Sequence, residues 1–365
     1  MDIKKLLCNA SETSKFGEKS FINLDCYSDI PKVETHSNSL EGLVIKDLIE
    51  TSMEIMAKIN SVFDNSLTFI CCISIIYDEI NLINFLEKLC QYKKTVYSFN
   101  IEGNYSKNNN FSFISYKNAK CSIPDIYEII ENIKQQIEVD YDETCKLDCI
   151  NNIILTPHAV YNIFRNIIAM NFNGKKASIG VFNSTSFSKL INIYDDGTYD
   201  FLPNSQPFDD EGIPSRRTAL VYEGKVQNYI YDMRTAYALG KNSTGNGKRG
   251  WGMPPSPIPN SIILNSNNPN SYKNVVNSIN KGVVIDLVRD TGKSRYNDGY
   301  FSGYILRGYY IQKGEIISGI RSGKIELNFC DVFNNIINVC DDSTWVCGVM
   351  NTPSLHISNK FISLW

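Results

Sequence analysis

The sequence predicts an α+β protein in two parts: a mixed α/β region over residues 1–150 and a β-rich domain over 151–365 with hairpins and short helices. Three observations carry this. Apolar residues recur at helical spacing in the first part, and hairpin signals are frequent in the second. Between them the acidic run 140–148 (DYDETCKLD) interrupts the apolar texture and marks the boundary.

Taken in order, 45–63 (IKDLIETSMEIMAKINSVF) places Leu48, Ile49, Ile55, Met56, Ile59 and Val62 on one side of a helix. The apolar run 69–77 (FICCISIIY) is too short to span a bilayer and reads as a buried strand. Asp78 is placed to cap a second helix over 79–92, with Leu82, Phe85, Leu86 and Leu89 as its stripe. The polar stretch 104–110 (NYSKNNN) reads as a loop, and 124–139 as a helix with Pro124 in its first turn and Ile126, Ile129, Ile130 and Ile133 buried. Beyond the acidic run, a short strand at 152–155 leads to Thr156-Pro157, a cap followed by proline at the first helical position, and a helix to about Met170.

From residue 178 strands dominate. One hairpin joins 219–222 to 226–231 around Glu223-Gly224-Lys225, and another joins 308–311 to 315–317 around Gln312-Lys313-Gly314. Short helices are expected at 232–239, at 270–281 (ended by Gly282) and at 328–338. The prolines of 250–259 (GWGMPPSPIP) exclude both a helix interior and a central strand.

Composition excludes several classes. The 365 residues are 43% hydrophobic and 21% charged, enough apolar material for a substantial core. A net charge of −3 offers no field to attract nucleic acid or an acidic membrane. The start shows no basic stretch ahead of an apolar one, so no secretory leader is expected. The 11 cysteines include no C-x-x-C pair and are expected as reduced thiols in the cytoplasm.

Gly245-Asn246-Gly247-Lys248-Arg249-Gly250 spells G-x-G-x-x-G, but a helix precedes it and prolines follow, the reverse of a dinucleotide fingerprint. Thr291-Gly292-Lys293-Ser294 ends like a phosphate loop, yet Leu287 stands where its first glycine belongs. The pairs Asp195-Asp196 and Asp341-Asp342 lack calcium-loop spacing, and Asp209-Asp210 before Gly212 reads as a turn with side-chain-to-backbone bonds. His36, His158 and His356 are too far apart for a two-histidine metal motif, and Cys347 reads as a buried thiol.

The stretch 208–249 resembles the most characteristic segment of the TldD/PmbA family of peptidase-related proteins. It holds, in order, an acidic-glycine turn (Asp209, Asp210, Glu211, Gly212), a Pro-x-x-Arg-Thr entry into a hairpin (Pro214, Arg217, Thr218), a glycine turn, a helix, and Ser243-Thr244-Gly245-Asn246-Gly247. The proline-rich 254–260, the step 281–285 and the hairpin 311–316 extend the likeness over about 151–365. The resemblance implies a two-domain dimer acting on conformationally flexible peptides, including peptide-antibiotic precursors and antitoxins. TldD-type members hold zinc through a His-Glu-x-x-x-His helix and a later cysteine, and PmbA-type members lack that helix motif and serve as partner subunits.

Here the corresponding helix reads PHAVYNIFRNIIAMN, with His158, no glutamate and no second histidine. Catalytic zinc needs about three protein ligands and an open water position. The expectation is a partner subunit with no metal of its own, pairing with a zinc-bearing TldD-like chain or with itself around an extended peptide. Asp209, Asp210, Glu211, Gly212, Arg217 and Ser243 to Gly247 are the expected substrate or partner contacts. Two other readings stay open: a stand-alone peptidase using His158 or Cys347, and a peptide-binding module serving a ribosomally made peptide.

Overall fold

The computed structural model describes residues 3–16, 29–63, 66–83, 89–107, 110–120, 125–137, 150–177, 182, 186–320, 323–358 and 362–364. The first part contains helices α1 (Ile3–Ser14), α2 (Ile45–Phe63) and α3 (Ile126–Ile137) with strands β1 (Leu67–Ile83), β2 (Leu89–Lys107) and β3 (Asn110–Lys120). The strands form one antiparallel sheet in the order β1-β2-β3. Phe69, Cys71, Ile73 and Ile75 of β1 face α2 and α3, and the core between the layers is Ile55, Ile59, Tyr97, Phe99, Ile101, Ile129 and Ile133.

Here the structure corrects several expectations. The helix expected at 79–92 does not form over its described residues, 79–83 and 89–92, which are strand; Phe85 and Leu86 lie outside the described residues. β1 runs on through Ile83 and pairs with β2 in unbroken register, from Leu67 opposite Tyr105 to Ile83 opposite Leu89. A stripe of four apolar residues over four turns fits a helix on paper, but a 17-residue strand satisfies its backbone against β2 and buries alternate side chains. β1 is accordingly buried on one face only. β2 and β3 also take most of the expected 104–110 loop. On α2 the buried residues are Ile55, Ile59 and Phe63, whereas Ile49, Met56 and Val62 are exposed. Pro124 and the acidic run 140–148 lie outside the described residues.

The second part opens with β4 (Asn152–Leu155) and α4 (Pro157–Asn171), followed by β5 (Asn192–Asp196), β6 (Arg217–Tyr222), β7 (Lys225–Val226) and α5 (Met233–Ala238). Next come β8 (Gly247–Lys248), β9 (Ser256–Pro257), β10 (Ser261–Asn265), α6 (Tyr272–Ser278), β11 (Lys281–Asp290), β12 (Tyr300–Gln312), β13 (Glu315–Ile320) and β14 (Gly323–Asn328). The chain closes with α7 (Phe329–Asn334), β15 (Ile336–Val339), β16 (Thr344–Val346), β17 (Met350–Thr352), β18 (Leu355–Ser358) and β19 (Ile362–Leu364).

One sheet has the order β15-β18-β4-β11-β12-β14-β19 with β13 also on β12, and a second has the order β16-β17-β10-β5-β6-β7. α4 lies between them, packed on β11 of the first and on β16 and β17 of the second. Its Ile163, Phe164, Ile167 and Ile168 are wholly buried, and an aromatic cluster of Phe172, Phe182, Phe187, Phe329 and Phe333 fills the space beside it.

Both expected hairpins form, with two-residue turns rather than three. Glu223-Gly224 and Lys313-Gly314 all have positive φ, the conformation whose twist matches the strands it joins. Gly282 sits inside β11 and does not end α6, which stops at Ser278. α7 stops at Asn334, four residues before the expected limit, because Ile336 starts β15.

Candidate functional site

Thr156 positions α4 as expected. Its hydroxyl caps the Ala159 amide, and it also donates to Asp286 Oδ1 at 2.6 Å. Asp286 on β11 is a junction, because Arg307 of β12 donates to it at 2.5 Å and His158 Nδ1 lies 3.8 Å from it. The Arg307 guanidinium also bonds the Gln136 side chain of α3, so this junction ties the two parts of the molecule. Arg307 and His158 hold the Asp286 carboxyl below its usual range against the opposing effect of burial, which is the larger single influence. Burial pushes His158 down, leaving it neutral near pH 7.

Beside α4 lies a cavity of about 360 Å³. The helix contributes His158, Tyr161, Asn162 and Asn166, and the rest of the wall includes Glu102 and Lys117 of the N-terminal sheet, Arg289 and Asp290 of β11, and Cys347. His158 and Cys347, separated by most of the domain in sequence, therefore share one cavity. Tyr161, Asn162 and Asn166 escaped the sequence reading. The signal was available: polar residues at 158, 162 and 166 recur every fourth position in an otherwise apolar helix.

These residues do not fit a catalytic zinc ion. Among the described residues no three His, Cys, Asp or Glu side chains converge as a metal-binding set. The helix face that meets the cavity offers amides and a phenol where a second histidine and a carboxylate would be needed. Burial pushes the Cys347 thiol up, opposed by its bond with Tyr161 and by Lys117 and Arg165. Glu102 pairs with Lys117 at 2.5 Å, and Asp290 accepts from the Tyr296 hydroxyl.

The expected contact residues form a different structure, a lock between two loops. Asp209 Oδ1 accepts the Glu211 and Ile213 amides at 3.0 and 2.9 Å, the expected turn, and its Oδ2 reaches across to the Gly247 amide at 2.7 Å. Asp210 Oδ2 accepts the Arg249 amide at 2.7 Å, and Glu211 Oε2 accepts the Met233 amide at the start of α5, also at 2.7 Å. Asn246 donates to Asp195 Oδ2 at 2.6 Å, accepts from the Thr244 hydroxyl, and holds the Ile258 backbone twice, its side chain donating to the Ile258 carbonyl and its own carbonyl accepting the Ile258 amide. The Ser243 hydroxyl donates to the Tyr231 carbonyl.

Gly212 and Gly245 both take positive φ, and a Cβ on Gly245 would lie 2.5 Å from the Pro214 carbonyl oxygen. Loss of function in Gly245→Val would thus report a structural defect as much as a binding one. Burial raises three carboxyls of this lock: Asp195 to about 7, Asp209 to about 6 and Glu211 to about 7. Arg217 is not part of the lock, since its guanidinium stacks on Tyr194 at 4.1 Å. The lock supports a second cavity of about 610 Å³, whose wall includes Asp232, Arg234, Met253, Pro254 and Ile258.

The segment 219–231 is not one continuous hairpin. Only Lys225–Val226 continues the hairpin. Ile230 exchanges backbone bonds with Phe172 and Gly174, and Tyr231 pairs with Thr244.

The family model of the PmbA/TldA metallopeptidase C-terminal domain matches residues 150–363. The chain belongs to the TldD/PmbA family. Among curated relatives, an uncharacterized protein of Methanocaldococcus jannaschii is 31% identical over 218 residues, covering 58% of this chain and 50% of that protein. A metalloprotease TldD homolog of Haemophilus influenzae is 28% identical over 182 residues, covering 49% of this chain and 37% of that protein. The chain thus spans half or less of these curated relatives. The crystal structure of TldE from Thermococcus kodakarensis matches with a TM-score of 0.81 at 20% identity, over 99% of this chain and 84% of that one, a likeness of fold. Among the described residues no helix is long and apolar enough to cross a membrane.

Proposed function

We propose that this chain is a non-catalytic partner subunit of a TldD-type zinc metallopeptidase, and that the cavity beside α4 holds part of an extended peptide on its way to the partner's metal. The observation that supports this best is the cavity face of α4. Where zinc chemistry calls for ligands, it presents Tyr161, Asn162 and Asn166. Side-chain amides donate and accept at once, so they suit a peptide backbone of any sequence. The fixed charges of Arg289 and Lys117 around them suit carbonyls and carboxylates. The lock formed by Asp209, Asp210, Glu211, Gly212 and Ser243 to Gly247 holds the wall of the second cavity, through which partner or peptide is contacted.

The test is peptide cleavage by a TldD-like subunit alone, with this chain, and with its Asn162→Leu/Asn166→Leu variant. The expected result is activity that depends on this chain and falls at least tenfold with the variant, through KM. Equal activity in all three mixtures contradicts the proposal.

A further inference from the structure

The second cavity, of about 610 Å³, has in its wall a buried carboxyl that the lock does not use. This is Asp232, only 1% exposed. Its Oδ1 caps α5, accepting the Thr235 amide at 2.7 Å and the Thr235 hydroxyl at 2.5 Å. Its Oδ2 is closed to water and meets no donor among the described residues. A cap needs one oxygen, and asparagine serves there as well as aspartate. A buried carboxylate oxygen without a donor is costly, so it calls for a partner that the chain itself does not supply.

The rest of the wall narrows the chemistry of that partner. Ala238, Met253, Pro254, Pro255 and Ile258 are apolar, which suits a ligand with an apolar body. Lys175 and Arg234 are cations of the same wall. Two cations against one carboxylate disfavour a simple alkylammonium ion. A fully ionised anion such as sulfate fits no better, because it has no proton to give Asp232 Oδ2. A zwitterion satisfies both signs at once. The loop of Gly250 to Ser256 also leaves apolar surface uncovered, with Trp251 fully exposed and Met253 exposed to 69%.

We propose that this cavity binds a short apolar peptide whose two ends are free. The terminal ammonium donates to Asp232 Oδ2, the terminal carboxylate accepts from Lys175 and Arg234, and the side chains lie against Met253, Pro254 and Ile258. The volume is that of a site for a drug-sized ligand, about two or three residues of peptide. A long peptide cannot bring both of its ends into one cavity. The site therefore selects the fragments that peptide cleavage releases over the intact substrate, which makes it a product site apart from the cavity beside α4. This rests on the reading of the second cavity as a place of peptide contact, but its test needs no TldD-like subunit.

The test is titration calorimetry of the full chain alone with the dipeptide Leu-Leu, its N-acetyl form and its C-terminal amide. Leu-Leu should bind with a dissociation constant below about 1 mM, and each blocked form at least tenfold more weakly. Asp232→Asn keeps the cap of α5 and should abolish the preference for a free amino end. Lys175→Gln/Arg234→Gln, which leaves that cap untouched, should abolish the preference for a free carboxyl end. Thermal melting should be unchanged in both variants. Absence of binding at about 1 mM overturns the proposal. So do equal binding of the blocked forms, and end preferences that survive both variants. Failure here, with cleavage by a TldD-like subunit still dependent on this chain, removes the product site and leaves the partner-subunit reading standing. Binding as expected without such dependence does the reverse.

Discussion

Asp209 shows how much one buried carboxylate can organise. Its two oxygens take three backbone amides, two within its own turn and one from Gly247, 38 residues on. Asp209→Ala leaves those donors without partners in a site closed to water. A loss of roughly 2–4 kcal/mol is expected in denaturant unfolding, larger than an average point mutation costs. The turn itself was legible in the sequence, because Asp-Asp-Glu-Gly bonds locally and local bonds leave a local pattern. The reach to Gly247, and that of Asn246 to Asp195, were not. They depend on the Asp209 turn and β5 being brought against the loop that leads into the β8–β9 pair, which no spacing announces. The acidic residues read as contacts are for the most part turned inward, and Arg217, read alongside them, stacks on Tyr194 instead.

At the scale of elements, the legible helices were those with local punctuation. α2 matches its expected limits, and α4 begins where Thr156-Pro157 places it. β1 and β2 were misread where they approach each other in sequence because strand pairing is a property of two segments and neither announces it alone. α4 also shows what its sequence concealed. Asp286 meets its first turn from another sheet strand and is bound to the buried Arg307. Asp286→Ala leaves the buried guanidinium without its carboxylate and removes the acceptor of Thr156, and about 3–5 kcal/mol of stability should be lost. Asp286→Asn, which can still accept from one of the two, should cost less. Thermal melting of both variants checks the order.

Among the described residues one hydrophobic core lies in the first part and two in the second, and the parts are tied by Gln136 to Arg307, Lys94 to Ser205, Glu34 with Asp200 and Phe201, and the edge-on contact of Tyr92 with Phe208. The response of the whole molecule to pH follows from the lock. Asp195, Asp209 and Glu211 have folded values raised by burial, so the folded chain binds protons more readily than the unfolded chain. Their contribution to stability is fully present below the unfolded carboxylate range and is lost as pH rises through about 6 to 7. The melting temperature should therefore rise by a few degrees, roughly, when pH is lowered from 8 to 6.5. His158 and His356, both pushed down by burial, work against this trend, because as pH falls the unfolded chain gains protons there before the folded chain does. Asn replacements at Asp195 and Asp209 with Gln at Glu211 should flatten it.

The proposed partner-subunit reading holds that this chain carries no zinc site of its own, because α4 presents amides and a phenol to the cavity. Elemental analysis of the purified full chain, after dialysis against micromolar zinc, tests it most directly. The account predicts well under one zinc per chain, unchanged by His158→Ala or Cys347→Ser. One tightly held zinc per chain, lost in either variant, would contradict it.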